Sequence, residues 1–468
     1  MAISSRANGS FLNNSRTSSA PFLPGEQEMN DVNFTATAAF DRKLFWEGGD
    51  SVRYLVARLQ AKLKDDRRPA EHTPLNIALV IDASGSMGGG KLDAAKAAAL
   101  GLAERLTERD RLTLVSFASD VQVHLDAVPV SKENLLRIRA EVFRLQTRGM
   151  TNLSGGWFAG VECAARIAED DARMTPRIII LSDGHANEGI SDQNELREHA
   201  GELRLRGVLT SALGIGDGYD EQLLRGIAEN GGGRLHDAEL TSEISSVLLG
   251  ELDDIFGTLI EGAEIMLTVP PGVRVDVLGK GDAEVRGGRV VVSTGPIQND
   301  VARFAVFKVT CPKAQRGEEF RFGMVATGRV VADRNTLETS AVSVNLVAVD
   351  TMVNKDQPRD SEIAEIVART WSAHVVATAA KMNRDGAYED AKEHIEGELR
   401  HFRRYVEGLP RGQDMVGELE LLARRVGREF SSRMRKEMVV QSALVMESRV
   451  DRRGAGKAAW SARMERGD

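Results

Sequence analysis

Asp82, Ser84 and Ser86 alternate along the stretch LNIALVIDASGSMGGGK, Leu75 to Lys91, and each carries a small, hard oxygen donor. Oxygens of this kind suit Mg²⁺, which takes a few protein ligands and keeps several waters. The same stretch permits a second chemistry. Gly85 to Lys91 reads GxxxxGK after an apolar strand, the frame of a phosphate-cradling loop, and 178–183 could serve as a loose acid-tipped companion strand. Leu92 speaks against it, because a Ser or Thr that holds Mg²⁺ belongs there, and a nucleotide site leaves Asp82 with no task. The elements that must position these donors are legible on either side. The unbroken apolar run from Ile77 to Ile81 reads as a strand buried on both faces. Leu92, Ala95, Ala99, Leu102 and Leu106 then repeat with a helical period. Donors between them stand at the carboxyl end of a strand, where open α/β sheets bind ligands.

At these residues the sequence resembles the von Willebrand factor A (VWA) family and its metal ion-dependent adhesion site, whose pattern is DxSxS, a distant Thr and a distant Asp on a later strand. Asp82, Ser84 and Ser86 match the first part. Thr151, in the glycine-flanked RGMTNLSGG, and Asp183, in RIIILSDG after an apolar strand, complete it. Helix capping would account for Asp82 and the serines but not for Thr151 and Asp183. The resemblance implies Mg²⁺ or Mn²⁺ held directly by the hydroxyls of Ser84, Ser86 and Thr151. Asp82 and Asp183 then hold coordinated waters or bind at longer range. One coordination position stays open for an Asp or Glu of a partner protein, so the implied function is a non-enzymatic, metal-dependent interaction module. Two alternatives stand beside it: a P-loop-like nucleotide hydrolase using Gly85 to Lys91, and an accessory subunit of an AAA+ ATPase, a role in which several bacterial VWA proteins occur.

Elsewhere the chain offers little chemistry. The histidines are dispersed without HExxH spacing, no serine sits in GxSxG, and no Cys–His pairing suggests a nucleophile. His185, two residues after Asp183, is the histidine nearest the expected ion. The Gly214–Gly218 stretch has its third glycine misplaced for a dinucleotide loop. Arginines between 400 and 436 alternate with glutamates and read as a solvated face of mixed charge.

The chain has 468 residues, 42% hydrophobic and 28% charged, enough for two or three domains with sizeable cores. A net charge of -8 argues against a dedicated nucleic-acid binder. Two cysteines suggest no disulfide framework, and no apolar run is long enough to span a bilayer, so a cytoplasmic location is expected. Residues 1–29 read as a disordered leader. Within 30–70, two strands are expected at 33–46 and 51–63, followed by a polar linker over 64–74. From 75 to 257 strands and helices alternate, with an antiparallel hairpin at 118–120 and a last helix over 241–257 that runs into the next domain at Leu259. From 258 to 350 the period becomes two, which reads as a β-sandwich short of one or two strands. The strands before the linker could supply them. The expected fold class is therefore α/β, a doubly wound, mostly parallel VWA sheet inserted in a β-sandwich and followed by a C-terminal helical region at 359–448. That arrangement resembles bacterial VWA proteins of the calcium-activated chloride channel-like group. Three apolar stripes, the third running from Met415 to Phe430, suggest a small bundle, and 449–468 reads as a disordered tail.

Overall fold

The computed structural model describes residues 31–64, 72–170, 174–279, 284–286, 288–447 and 460–466. The expected leader and most of the linker lie outside them. Among the described residues, no helix is long and apolar enough to cross a membrane.

All eight residues of the strand Leu75–Asp82 are buried. Ile77, Leu79 and Ile81 face one hydrophobic core with the helices Lys91–Arg105 and Ile244–Phe256, while Ala78 and Val80 face another with Trp157, Leu196 and Leu224. This two-sided burial explains the continuous apolar run. The six-stranded sheet runs in the order Val121–Pro129, Arg111–Phe117, Leu75–Asp82, Thr175–Ser182, Leu209–Ile215, Gly232–Ala238. Every neighbouring pair is parallel except the first, the edge hairpin expected from the short turn after Phe117. Leu75–Asp82 is the earliest strand of this sheet and lies inside it; the chain adds Arg111–Phe117 and Val121–Pro129 on one side and only then Thr175–Ser182 on the other. The crevice beyond the carboxyl ends of Leu75–Asp82 and Thr175–Ser182 is thus a topological switch point.

Two further sheets are built from residues on both sides of this α/β segment. One pairs Val32–Phe40, Ser51–Leu63, Arg303–Cys311 and Arg274–Leu278. The other contains Thr258–Thr268, Arg289–Gln298, Glu319–Val330 and Val342–Val349, with short strands at its edges. Leu55, Leu59 and Phe307 of the first share a core with Ile265, Leu267 and Phe322 of the second. The strand expected over 33–46 is broken. Buried Asp41 turns the chain by accepting the Tyr54 amide at 2.9 Å while its own amide donates to the Tyr54 carbonyl at 2.9 Å. Leu44–Trp46 consequently joins the other sheet, parallel to Val342–Val349.

The outer face of the first sheet, with Tyr54, Val56 and Val306, is covered by the helices Ser361–Arg384, Tyr388–Val406, Gly412–Arg425 and Ser432–Met446. The third stripe is not one helix. Asn383 reaches across to accept the Phe430 amide and to donate to the Val426 and Arg428 carbonyls, and Ser431 caps a new helix. The disordered-tail expectation is corrected at 460–466, where Trp460–Arg466 is helical and buries Trp460 and Met464 in the same core.

Candidate metal centre

Asp82 ends its strand completely buried. Its Oδ1 accepts the Ser84 amide at 2.8 Å and its Oδ2 the Ser182 hydroxyl at 2.6 Å. Burial pushes its pKa up, the hydrogen bonds from Ser182 and Ser84 oppose the rise, and the nearby Asp183 charge adds to it. From there the polar groups form a chain. The Ser84 and Ser86 hydroxyls are 2.9 Å apart, and Ser86 Oγ donates to Asp183 Oδ1 at 2.7 Å. The Asp183 side chain is fully buried, and its Oδ2 accepts from Lys91 Nζ at 2.5 Å.

Thr151 enters from the facing loop. Its amide donates to Asn187 Oδ1 at 2.8 Å, and its carbonyl accepts from the Asn187 and Glu188 amides, locking the loop before the helix Leu153–Asp170 to the loop after Asp183. A methyl group added to Gly184 would come 3.5 Å from the Ser86 hydroxyl and 3.6 Å from the Thr151 hydroxyl, so both flank one spot. Backbone bonds fix the first loop: Ala83 donates to the Phe117 carbonyl, Arg148 to that of Ala83, and Gly85 to that of Gly149. A third loop closes the far side, with the Asp220 amide on the Gly184 carbonyl at 3.3 Å. His185 stands at the rim, largely exposed, 3.6 Å from Asp220.

The structure thus brings Asp82, Ser84, Ser86 and Asp183 into one hydrogen-bonded chain, with Thr151 across from it. Among the described residues no group of three or more His, Cys, Asp or Glu side chains could hold a metal. The donors gathered here are of another kind, two buried carboxylates and three hydroxyls, and that set fits a hard divalent cation. Ser182, Asn187 and the contact of Lys91 with Asp183 were missed by sequence reasoning. Ser182 had a signal in its place one residue before Asp183; the others depend on how the loops fold.

The nucleotide alternative loses its basis in the loop amides. Gly85 donates to Gly149, Met87 to Ser84 and Gly88 to Gly85, so amides that would cradle phosphate are engaged within the protein. Lys91, the residue that would reach a phosphate, lies on Asp183. A serine–histidine contact also fails as a nucleophile. Ser116 is fully buried, with its hydroxyl 2.7 Å from His124 Nε2 and accepting from Arg148.

Residues 76–248 match the family model described as the von Willebrand factor type A domain. This segment is a VWA domain. VWA domains are typically protein-interaction modules. The chain is 31% identical over 230 residues to an uncharacterized protein of Synechocystis sp., covering 49% of this chain and 52% of that one. It is also 31% identical over 198 residues to human inter-alpha-trypsin inhibitor heavy chain H3, covering 41% of this chain and 22% of that protein. It therefore spans about half the length of the first relative and about a fifth of the second. In fold it resembles a von Willebrand factor type A protein from Catenulispora acidiphila, with a TM-score of 0.64 at 16% identity over 91% of this chain and 99% of that one. The likeness in fold therefore extends beyond the VWA domain into the flanking strands and helices.

Proposed function

We propose that the VWA domain binds one divalent cation, Mg²⁺ or Mn²⁺, at Asp82, Ser84, Ser86, Thr151 and Asp183, and uses it to hold an Asp or Glu of a partner protein without catalysing a reaction. The observation that carries this reading is the run of oxygens from Ser84 through Ser86 to Asp183 at the switch point of the sheet. A cation bound there would supply a Lewis-acidic point for an incoming carboxylate. The chain's own residues do the rest. Ser182 and the Ser84 amide keep Asp82 oriented beneath the serines, while Asn187 holds Thr151 in place. Neutral hydroxyls as direct ligands leave more of the cation's charge for the partner than carboxylates would.

We read the two outer sheets as a β-sandwich into which the VWA domain is inserted, as in bacterial proteins of the calcium-activated chloride channel-like group. An AAA+ ATPase presenting an acidic side chain is a partner of the proposed kind, and two free, buried cysteines suit a reducing cytoplasm. The test is capture from the native cell with the wild-type chain and Asp82→Ala. A partner retained in Mg²⁺, released by chelator and absent from the variant supports the reading. Capture indifferent to both chelator and substitution would overturn it.

A further inference from the structure

Lys91 is the first residue of the helix Lys91–Arg105, and its side chain bends back into the site. Its Nζ lies 2.5 Å from Asp183 Oδ2 and 3.3 Å from the Ser86 carbonyl. Asp183 is fully buried on its side chain, whereas Lys91 keeps 30% exposure. A buried carboxylate demands a cation or strong donors, and the ammonium is the cation that the chain itself brings to this one. A divalent ion held by Ser86 and Asp183 would draw on the same carboxylate. Two cations cannot share it at close range without repulsion. The lysine is long, flexible and reaches the surface, so it can leave without unfolding the helix that carries it.

We propose that Lys91 is a tethered competitor of the divalent cation: it neutralises Asp183 in the metal-free protein and must be displaced for the ion to bind. This rests on the metal reading given above and adds a regulation to it. The competition sets the cation concentration at which the site fills, and it keeps the metal-free domain folded with Asp183 compensated. Metal loading then exchanges one cation for another at a fixed carboxylate, rather than creating charge compensation from nothing.

Lys91→Met removes the charge and keeps the bulk. Mg²⁺ titration calorimetry should find the variant about ten- to a hundredfold tighter than wild type, the range expected when one charged hydrogen bond no longer has to be broken. The metal-free variant should melt at a lower temperature than the wild type, with saturating Mg²⁺ restoring it and raising its Tm by more than it raises that of wild type. Lys91→Arg keeps the charge and should stay close to wild type in affinity. If Lys91→Met gives no soluble protein, Lys91→Gln carries the same expectations. Equal Mg²⁺ affinity in wild type and the neutral variant overturns this inference while leaving the metal site standing. No Mg²⁺ binding by either protein overturns both readings together, and binding by the neutral variant alone is the strongest form of the expected result.

Discussion

Thr151 is the member of the site whose contribution can be isolated most cleanly, because its backbone is fixed by Asn187 and Glu188 independently of its hydroxyl. Thr151→Val keeps the shape and removes the oxygen. It should weaken Mg²⁺ binding by about 1–3 kcal/mol, the loss of one contact to a charged species, while leaving the melting temperature of the metal-free protein nearly unchanged. Calorimetry and a thermal melt check the two halves separately, and unchanged Mg²⁺ affinity would remove Thr151 from the ligand set. At this scale the sequence was most informative where donors are contiguous. Asp82, Ser84 and Ser86 are readable as hard oxygens from spacing alone. Thr151 and Asp183 were recognised only by resemblance, since nothing local separates them from other polar loop residues. Lys91 drew notice in the sequence only through the GxxxxGK frame of the nucleotide alternative, which Leu92 speaks against. The real contact of Lys91, Asp183, is 92 residues away, and no local pattern reports that.

The helix Ile244–Phe256 illustrates what holds an element in place beyond its apolar stripe. Ile244, Val247, Leu248 and Leu252 face the sheet as their spacing predicts. Glu251 is also buried, ion-paired with Arg234 at 3.0 Å, within hydrogen-bonding distance of His236 Nε2 at 2.8 Å, and accepts the Ser211 hydroxyl at 2.7 Å. Burial alone would raise its pKa, but Arg234, His236 and Ser211 outweigh it and hold the carboxyl well below the usual 4.5. A carboxylate with a depressed folded pKa stabilises the protein above its unfolded value and loses that contribution as pH falls. Glu251→Gln should therefore cost about 2–4 kcal/mol at pH 7 in urea unfolding, and the gap to wild type should narrow as pH drops below about 4.5. A gap that stays constant down to pH 3 would contradict the assigned ion pair. The parallel strands were legible because burial on both faces writes an uninterrupted apolar run. The break after Phe40 was not, since it depends on Asp41 meeting Tyr54 across the sheet. Nor was the break after Arg425, which depends on Asn383 in another helix.

On the scale of the whole molecule, the sequence pointed to a helix over 241–257 that joins the α/β segment to the next domain at Leu259. The structure contains another connection, through side chains. Lys436, in the helix Ser432–Met446, is 3% exposed and donates to the Asp217 carbonyl at 2.7 Å and the Tyr219 carbonyl at 2.8 Å. Arg433 beside it pairs with buried Asp237, which also accepts the Tyr219 hydroxyl. The loop they hold is the one whose Asp220 amide rests on Gly184, next to Asp183. Contacts 196 to 219 residues apart leave no trace in local periodicity, so this route could not be read in advance. Lys436→Met should speed hydrogen exchange over 217–220 and change the response of that loop to added Mg²⁺; exchange identical to wild type would show that the helices do not restrain the site. The proposed function presupposes a cation among Asp82, Ser84, Ser86, Thr151 and Asp183, and diffraction from crystals grown in Mn²⁺, recorded for the anomalous signal of manganese, tests that most directly. The account predicts one strong peak within about 2–2.5 Å of the Ser84, Ser86 and Thr151 hydroxyls, with the Lys91 ammonium withdrawn from Asp183. Absence of a peak there at saturating Mn²⁺, with Lys91 still on Asp183, would contradict it.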